Sequence, residues 1–211
     1  DIGLFTANEK ITNDITKLFN LVTGFDILSE ANRLRGKANL PKLDRVAFAP
    51  VNLRAFFFEQ IEQEIDSHRK SGNGFIMAKM NALVDTGIIN ALYRASQAGV
   101  KIKLIVRGMC SLRPGVSGIS ENIEVISIVD RFLEHSRIFY FHANSKGRVF
   151  IASADWMSRN MDRRIEFCCP IEDQDVKNRI VHEILNTYWQ DNVKARVLQS
   201  DGTYKLRQPG A

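Results

Sequence analysis

The stretch FIMAKMNALVDTGIINALYRASQAGVKIKLIVR (75–107) decides the fold. FIMAKM (75–80) and KIKLIVR (101–107) are short apolar runs of strand composition. Between them, Asp85 stands where a helix N-cap is wanted, and Ile88, Ile89, Leu92 and Ala95 recur on one helical face. Gly99 follows where a helix C-terminus takes glycine. A helix between two strands carries the chain back to its starting end, so the strands pair in parallel. The unit is βαβ and the class is α/β.

The alternation continues on both sides. Upstream, VAFAP (46–50) reads as a strand. Asn52 is placed to cap a helix reaching about Arg69, with Leu53, Phe57, Phe58, Ile61 and Ile65 inward, and SGNG (71–74) ends it. Downstream come a Gly/Ser/Pro loop (108–121), a strand EVISIV (124–129), and RIFYF (137–141) and RVFIAS (148–153) joined by HANSKG as a hairpin. IEFCC (165–169) reads as a further strand, with Cys168 and Cys169 pointing to opposite faces. A helix over 174–190 turns Val176, Ile180, Val181, Ile184, Leu185, Tyr188 and Trp189 inward, and the tail forms a hairpin around Ser200-Asp201-Gly202. The expected fold is α/β, a mixed β-sheet flanked by helices. A separate helix over 9–22, capped by Asn8, precedes a basic connector at 23–45. The division expected is 1–44 and 45–211.

Composition narrows the class of function. The 211 residues are 45% hydrophobic and 25% charged, the balance of a folded globular chain. Lys and Arg number 29 against 24 Asp and Glu, a net charge of +5 that permits an anionic partner without demanding nucleic acid. Three cysteines, two of them adjacent, set no disulfide framework and suit a reducing compartment. The longest apolar runs fall short of the ~20 residues that span a bilayer. DIGLFTANEK has neither the charge nor the apolar run of a signal peptide, and without an initiator Met it is expected to lie inside a larger protein. The sequence carries no phosphate-binding P-loop, no Rossmann glycine fingerprint, no zinc-spaced Cys/His set and no nucleophile elbow.

The chemistry collects around one histidine. His68 and His182 lie in helices and His142 opens a hairpin, settings of structural histidines. His135, in RFLEHSR (131–137), stands just before a strand, at the end of the sheet where α/β proteins place their sites. Arg107 ends a strand and opens a Gly/Ser-rich loop containing Arg113, and SADWMSRNMDRR (153–164) supplies Arg159, Arg163 and Arg164. Guanidinium forks bind phosphate oxygens two at a time, and loop N–H groups add donors. Arginines framing an imidazole suggest phosphate binding or phosphoryl transfer. Asp155 and Asp162 either orient these groups or cap turns, and Trp156 either packs beneath the arginines or meets a base.

Several long motifs are similar to one family. IVRGMCSLRPG (105–115), SENI (120–123), SIVDRFLEHSRIFYF (127–141), SADWMSRNMDRRIE (153–166), KMNALVD (79–85) and VKAR (193–196) closely resemble the C-terminal region of bacterial polyphosphate kinases of the histidine-autophosphorylating type. The resemblance implies phospholipase D-like architecture and reversible transfer of the terminal phosphate of ATP to inorganic polyphosphate. It places the phosphorylated histidine upstream of Asp1, together with the ligands of the Mg2+ that accompanies ATP. By the same resemblance His135 and Arg164 are the catalytic candidates. Arg107, His135 and Arg164 bind nucleotide or phosphate, with Lys79, Asn81 and Arg113 as further candidates, and no metal ligand is assigned within the chain. The implied partners are ATP or ADP, polyphosphate and the preceding catalytic domain of the same polypeptide, in a homo-oligomer without nucleic acid. The implied location is the cytoplasm, at most peripheral to the inner membrane. Arg137 and Asp155 stand where the phospholipase D signature usually has Lys and Asn, which disfavours phosphodiester hydrolysis. A phospholipase D-like phosphodiesterase and a non-catalytic polyanion-binding module are the alternative readings.

Overall fold

The computed structural model describes residues 1–24 and 42–208. Most of the expected connector at 23–45 lies outside the described residues. The described residues build a nine-stranded mixed sheet in the order β1-β7-β6-β5-β2-β3-β4-β8-β9. The strands are β1 (Ala47–Ala49), β2 (Phe75–Met80), β3 (Lys101–Val106), β4 (Ile123–Ser127), β5 (Ile138–Phe141), β6 (Arg148–Ala152), β7 (Glu166–Ile171), β8 (Arg196–Leu198) and β9 (Tyr204–Leu206). β2, β3 and β4 pair in parallel, as the βαβ pattern requires, and the remaining pairs are antiparallel.

Helices cover both faces. α1 spans Glu9–Gly24, α2 Leu53–Ser71, α3 Thr86–Gln97 and α4 Ser158–Arg163. The expected C-terminal helix is continuous but changes pitch: α5 (Gln174–Asn178), a π-helical stretch (Arg179–Leu185) and α6 (Asn186–Gln190). One apolar layer packs α2 and α3 on the sheet through Phe57, Ile61, Leu92, Leu104, Phe139 and Trp156. A second lies under the C-terminal helix and contains Met77, Ile105, Ile138, Leu185 and Trp189. Cys168 joins the first layer and Cys169 a third, beneath α1, so adjacent cysteines do face opposite sides of β7.

Local signals behave as their chemistry dictates, with two corrections. Asp85 accepts the Ile88 N–H as N-cap of α3. Gly72 and Gly99 take φ of 70° and 97°, ending α2 and turning into β3. Asn52 does not cap α2: its Oδ1 accepts the Phe48 N–H at 2.8 Å, closing the turn after β1. Trp156 neither underlies the arginines nor faces a ligand. It is fully buried, with ring centroids 5.0 Å from Phe139 and 5.6 Å from Phe57. Its carbonyl accepts the N–H groups of Val84 and Asp85, so it anchors the 153–158 loop to the entrance of α3.

Buried carboxylates tie the layers together. Asp14, on α1, accepts the N–H groups of Asp44, Arg45 and Val46, fastening α1 to the start of β1. Arg54, on α2, bridges Asp85 and Asp162 at 2.7 and 2.8 Å, and Ser158 also donates to Asp85. Asp162 therefore orients an arginine of the scaffold and fixes α4, the helix that leads into Arg164.

Candidate active site

The site forms at the C-terminal ends of β2 and β3. β5 and β6 bring their flanking loops to the same end, because β5 runs antiparallel to β2. That end of the sheet gathers Lys79 from β2, Asn81 and Arg107 from just past the ends of β2 and β3, His135 and Arg137 from the loop before β5, and Asp155 from the loop after β6. The crossover rule, applied to residues distant in sequence, makes them neighbours.

Asn81 is the hub. Its backbone N–H donates to Asp155 Oδ1 at 2.7 Å, and its Nδ2 donates to the same oxygen and to the His135 carbonyl, each at 3.3 Å. Its Oδ1 accepts Arg107 Nε at 2.9 Å. Asp155 in turn holds Arg137 at two points, Nε to Oδ1 and Nη2 to Oδ2, both 3.2 Å. This is the fork geometry that fixes a guanidinium plane. Asn81 thus acts through Arg107 and Asp155, a role its residue type did not reveal in the sequence.

His135 is 38% exposed at its side chain. Its Nδ1 lies 2.8 Å from Asp1 Oδ2 and 3.2 Å from Arg137 Nη1. A single nitrogen serves one of these at a time: protonated, it donates to Asp1; unprotonated, it accepts from Arg137. Donation to Asp1 leaves the lone pair on Nε2. Partial burial, together with the Arg137 and Arg107 charges, lowers the His135 pKa below the usual 6.5, against a smaller opposing pull from Asp155. The imidazole is therefore mainly neutral at pH 7.

Arg164 lies across a cavity of about 620 Å³ that also takes in His135, Arg137, Ser153, Glu166 and the N-terminal residues Asp1 and Ile2. Its side chain is 52% exposed, 3.8 Å from Glu166. Glu166 is held in turn by Asn160 Nδ2 at 3.2 Å and by the Ser153 hydroxyl. Half-exposed arginine, neutral imidazole and a second, fixed arginine on one cavity suit a polyanion that brings its own negative charge.

Arg113 is not brought to this cluster. The 108–121 loop runs back along α3: Arg113 N–H donates to Tyr93 Oη, and Gly118 O accepts Gln97 Nε2 near the helix's C-terminus. The Arg113 guanidinium donates to Ser200 O in the β8–β9 turn. The Gly/Ser-rich segment there forms the connection from β3 to β4. Arg159 and Arg163 are exposed on α4. Lys79 is in the cluster but buried, with its ammonium turned to the protein's own oxygens. Sequence reasoning missed Glu134, Ser136 and Tyr188, which gather around that ammonium. Tyr188 read only as an inward aromatic, and its 54-residue separation from Glu134 left no pattern to find.

Of the carboxylates near the imidazole, Asp155 is engaged by Arg137 and Asn81, Glu166 by Asn160 and Ser153, and Asp1 by the imidazole itself. Among the described residues no group of three or more His, Cys, Asp or Glu converges as metal ligands do. These residues do not fit a magnesium site built by this chain. Among the described residues, no helix is long and apolar enough to cross a membrane.

Residues 46–211 match the family model for polyphosphate kinase C-terminal domain 2. The chain is 49% identical to a polyphosphate kinase of Synechocystis over 211 residues, all of this chain and 27% of that protein. It is 49% identical to one of Halalkalibacterium halodurans over 205 residues, 97% of this chain and 27% of that protein. The crystal structure of polyphosphate kinase from Porphyromonas gingivalis superposes with a TM-score of 0.86 at 38% identity, over 97% of this chain and 30% of that one. Nuc, a phospholipase D family member of Salmonella typhimurium, superposes with a TM-score of 0.53 at 13% identity, covering 74% of this chain and 97% of its own. The fold is therefore of the phospholipase D type. The chain spans about a quarter of the length of the curated relatives, 27% in both cases given.

Proposed function

The chain belongs to the polyphosphate kinase family, its residues 46–211 forming the C-terminal domain 2, and on that premise we propose that it supplies half of a phosphotransferase site. In this reading the parent enzyme moves the terminal phosphate of ATP reversibly onto inorganic polyphosphate. The covalent phosphohistidine and the ligands of the Mg2+ accompanying the nucleotide belong to the preceding catalytic domain of the same polypeptide. The observation that carries the reading is the cavity shared by His135, Arg137 and Arg164, backed by Arg107 at the adjoining strand end.

The chemistry follows from charge. Phosphoryl transfer needs positioning and stabilisation of oxygens that gain negative charge, more than covalent help from the protein. Arg164, half exposed and only loosely paired, is free to swing onto such an oxygen. Arg137 is held by Asp155 and presents a fixed positive charge. His135 rests neutral; an arriving polyanion raises its pKa, so it takes up a proton and becomes a cationic hydrogen-bond donor or a proton source for the leaving group. The cycle is closed when departure of the anion lowers the pKa again.

The test uses the full-length parent with polyphosphate, ADP and Mg2+, following ATP. His135→Ala should abolish ATP formation. Formation that survives would demote His135 to an ancillary role. No ATP from either protein would return attention to phosphodiester substrates.

A further inference from the structure

The loop that carries His135 has no secondary structure of its own: residues 128–137 form neither helix nor strand. Apart from the His135 N–H, which donates to Leu133 O, its backbone groups look outside the loop for partners. Three consecutive carbonyls find partners on Lys79 of β2 and on Asn81, just past its end. The Lys79 ammonium donates to Glu134 O at 3.1 Å and Ser136 O at 3.3 Å, and Asn81 Nδ2 reaches His135 O at 3.3 Å. Lys79 also donates to Ser136 Oγ at 2.9 Å.

The lysine is otherwise out of place. Its side chain is 2% exposed, on the sheet face that carries Met77 and meets the C-terminal helix. An ammonium in such surroundings needs every donor engaged. It has three, with three oxygens within 3.3 Å, the Glu134 carboxylate at 3.9 Å and the Tyr188 ring 4.7 Å away. Tyr188, on α6, donates its hydroxyl to Glu134. Thus α6, β2 and the residues on either side of His135 close into one network. His135 and Arg137, from the same loop, line the cavity.

We infer that Lys79 is a positioning residue: clamped by Glu134, Ser136 and Tyr188, it sets the backbone on both sides of His135 and so aims the imidazole into the cavity, without touching the transferred phosphate. The inference rests on the proposed phosphotransferase reading for its kinetic test but not for its chemical one. Burial of the ammonium, opposed by Glu134, holds its pKa at about 8, so the clamp is charged at neutral pH.

The experiment takes the full-length parent and its Lys79→Met, Lys79→Arg, Ser136→Ala and Tyr188→Phe variants. The positioning role predicts that Lys79→Met lowers kcat for ATP formation at least tenfold, with KM for polyphosphate and ADP within twofold. Tyr188→Phe should lower kcat by a smaller factor and add nothing on top of Lys79→Met. Lys79→Arg, which keeps the charge but not the compact three-donor head, should fall between. A tenfold rise in KM at unchanged kcat would overturn the inference, because Lys79 would then bind the anion itself; so would losses that multiply in the double variant. Independently of activity, carbethoxylation of His135 by diethylpyrocarbonate, mapped by mass spectrometry, should change at least threefold in Lys79→Met while His142 reacts as before. Ser136→Ala and Tyr188→Phe should shift the rate in the same direction, which keeps the test open if Lys79→Met folds poorly. A wild-type parent inactive on polyphosphate, with His135 reactivity still shifted, would sink the activity and leave the clamp. An active parent whose kcat and His135 reactivity ignore all four substitutions would sink the clamp and leave the activity.

Discussion

Arg137 and Asp155 form a two-point ion pair, both contacts at 3.2 Å, with side chains only 12% and 9% exposed. The pair ties the loop before β5 to the loop after β6, and it fixes a cation beside His135. Removing one partner leaves an uncompensated charge in a water-poor setting, which costs about 3–5 kcal/mol for buried pairs. Asp155→Ala, which also strips the Asn81 N–H of its acceptor, should lower stability within or above that range in denaturant unfolding. Asp155→Asn should cost less, because the amide oxygen still accepts. Equal losses from the two would mean that the hydrogen bonds, and not the charge, are irrelevant here.

Arg164→Ala should separate activity from stability. The guanidinium is half exposed and 3.8 Å from Glu166, a pair worth about 0–1 kcal/mol at the surface. Thermal unfolding should therefore barely move, while ATP formation by the full-length parent drops by about 10²-fold or more, the scale of a lost charge-stabilising donor. A large fall in melting temperature would instead assign Arg164 a structural role.

His135 predicts a pH signature. Burial and the neighbouring arginines depress its folded pKa below the unfolded 6.5. Between those two values the unfolded chain binds more protons than the folded one, so this group makes stability fall as pH drops through that window. His135→Asn should flatten that part of the profile. Titration of the imidazole by NMR should give a midpoint below 6.5 without ligand and a higher one with polyphosphate. A midpoint unmoved by polyphosphate would remove the proton-uptake step.

Lys79 predicts a second window of the same sign, at higher pH. With a folded pKa of about 8 against 10.5 unfolded, the unfolded state holds the extra proton between those values, so the group's contribution to stability rises with pH across that range. In Lys79→Met this slope should vanish. A slope that persists would assign it to another titrating group.

Asp85 serves two structures at once, as N-cap of α3 and as partner of Arg54 and Ser158. Loss of a cap alone costs about 1 kcal/mol. Asp85→Ala should exceed that in denaturant unfolding, and Asp85→Ser, which can still cap, should recover only part of it. Full recovery would show the Arg54 bridge to be inert.

Local chemistry reached far into this fold. The parallel β2–α3–β3 unit, the β5–β6 hairpin, the Asp85 cap and the opposed cysteines were all readable, because periodicity and capping depend on neighbours within a few residues. Asn52 misled for an equally local reason: an amide four residues from Phe48 N–H can close a turn as readily as cap a helix. The site was readable in its residue types and less so in their duties. His135 and Arg164 do share a cavity, whereas Arg113 sits in a loop that the tertiary path carries back along α3 to the β8–β9 turn. Trp156, in a motif loop among arginines, lies wholly in the core.

By itself the sequence determined the α/β class, the strand and helix order, the family resemblance and a short list of cationic residues near one imidazole. Tertiary structure alone decided which of those charges meet. Asn81 and Asp155 are 74 residues apart, and Lys79 and Ser136 are 57 apart, so no spacing rule links them. Sheet order joins them: β5 inserts beside β2, and the loops at that end close on the same few side chains. Whether a lysine binds a ligand or holds a backbone depends on which oxygens lie within about 3 Å of its nitrogen, and that is set only when distant strands pair.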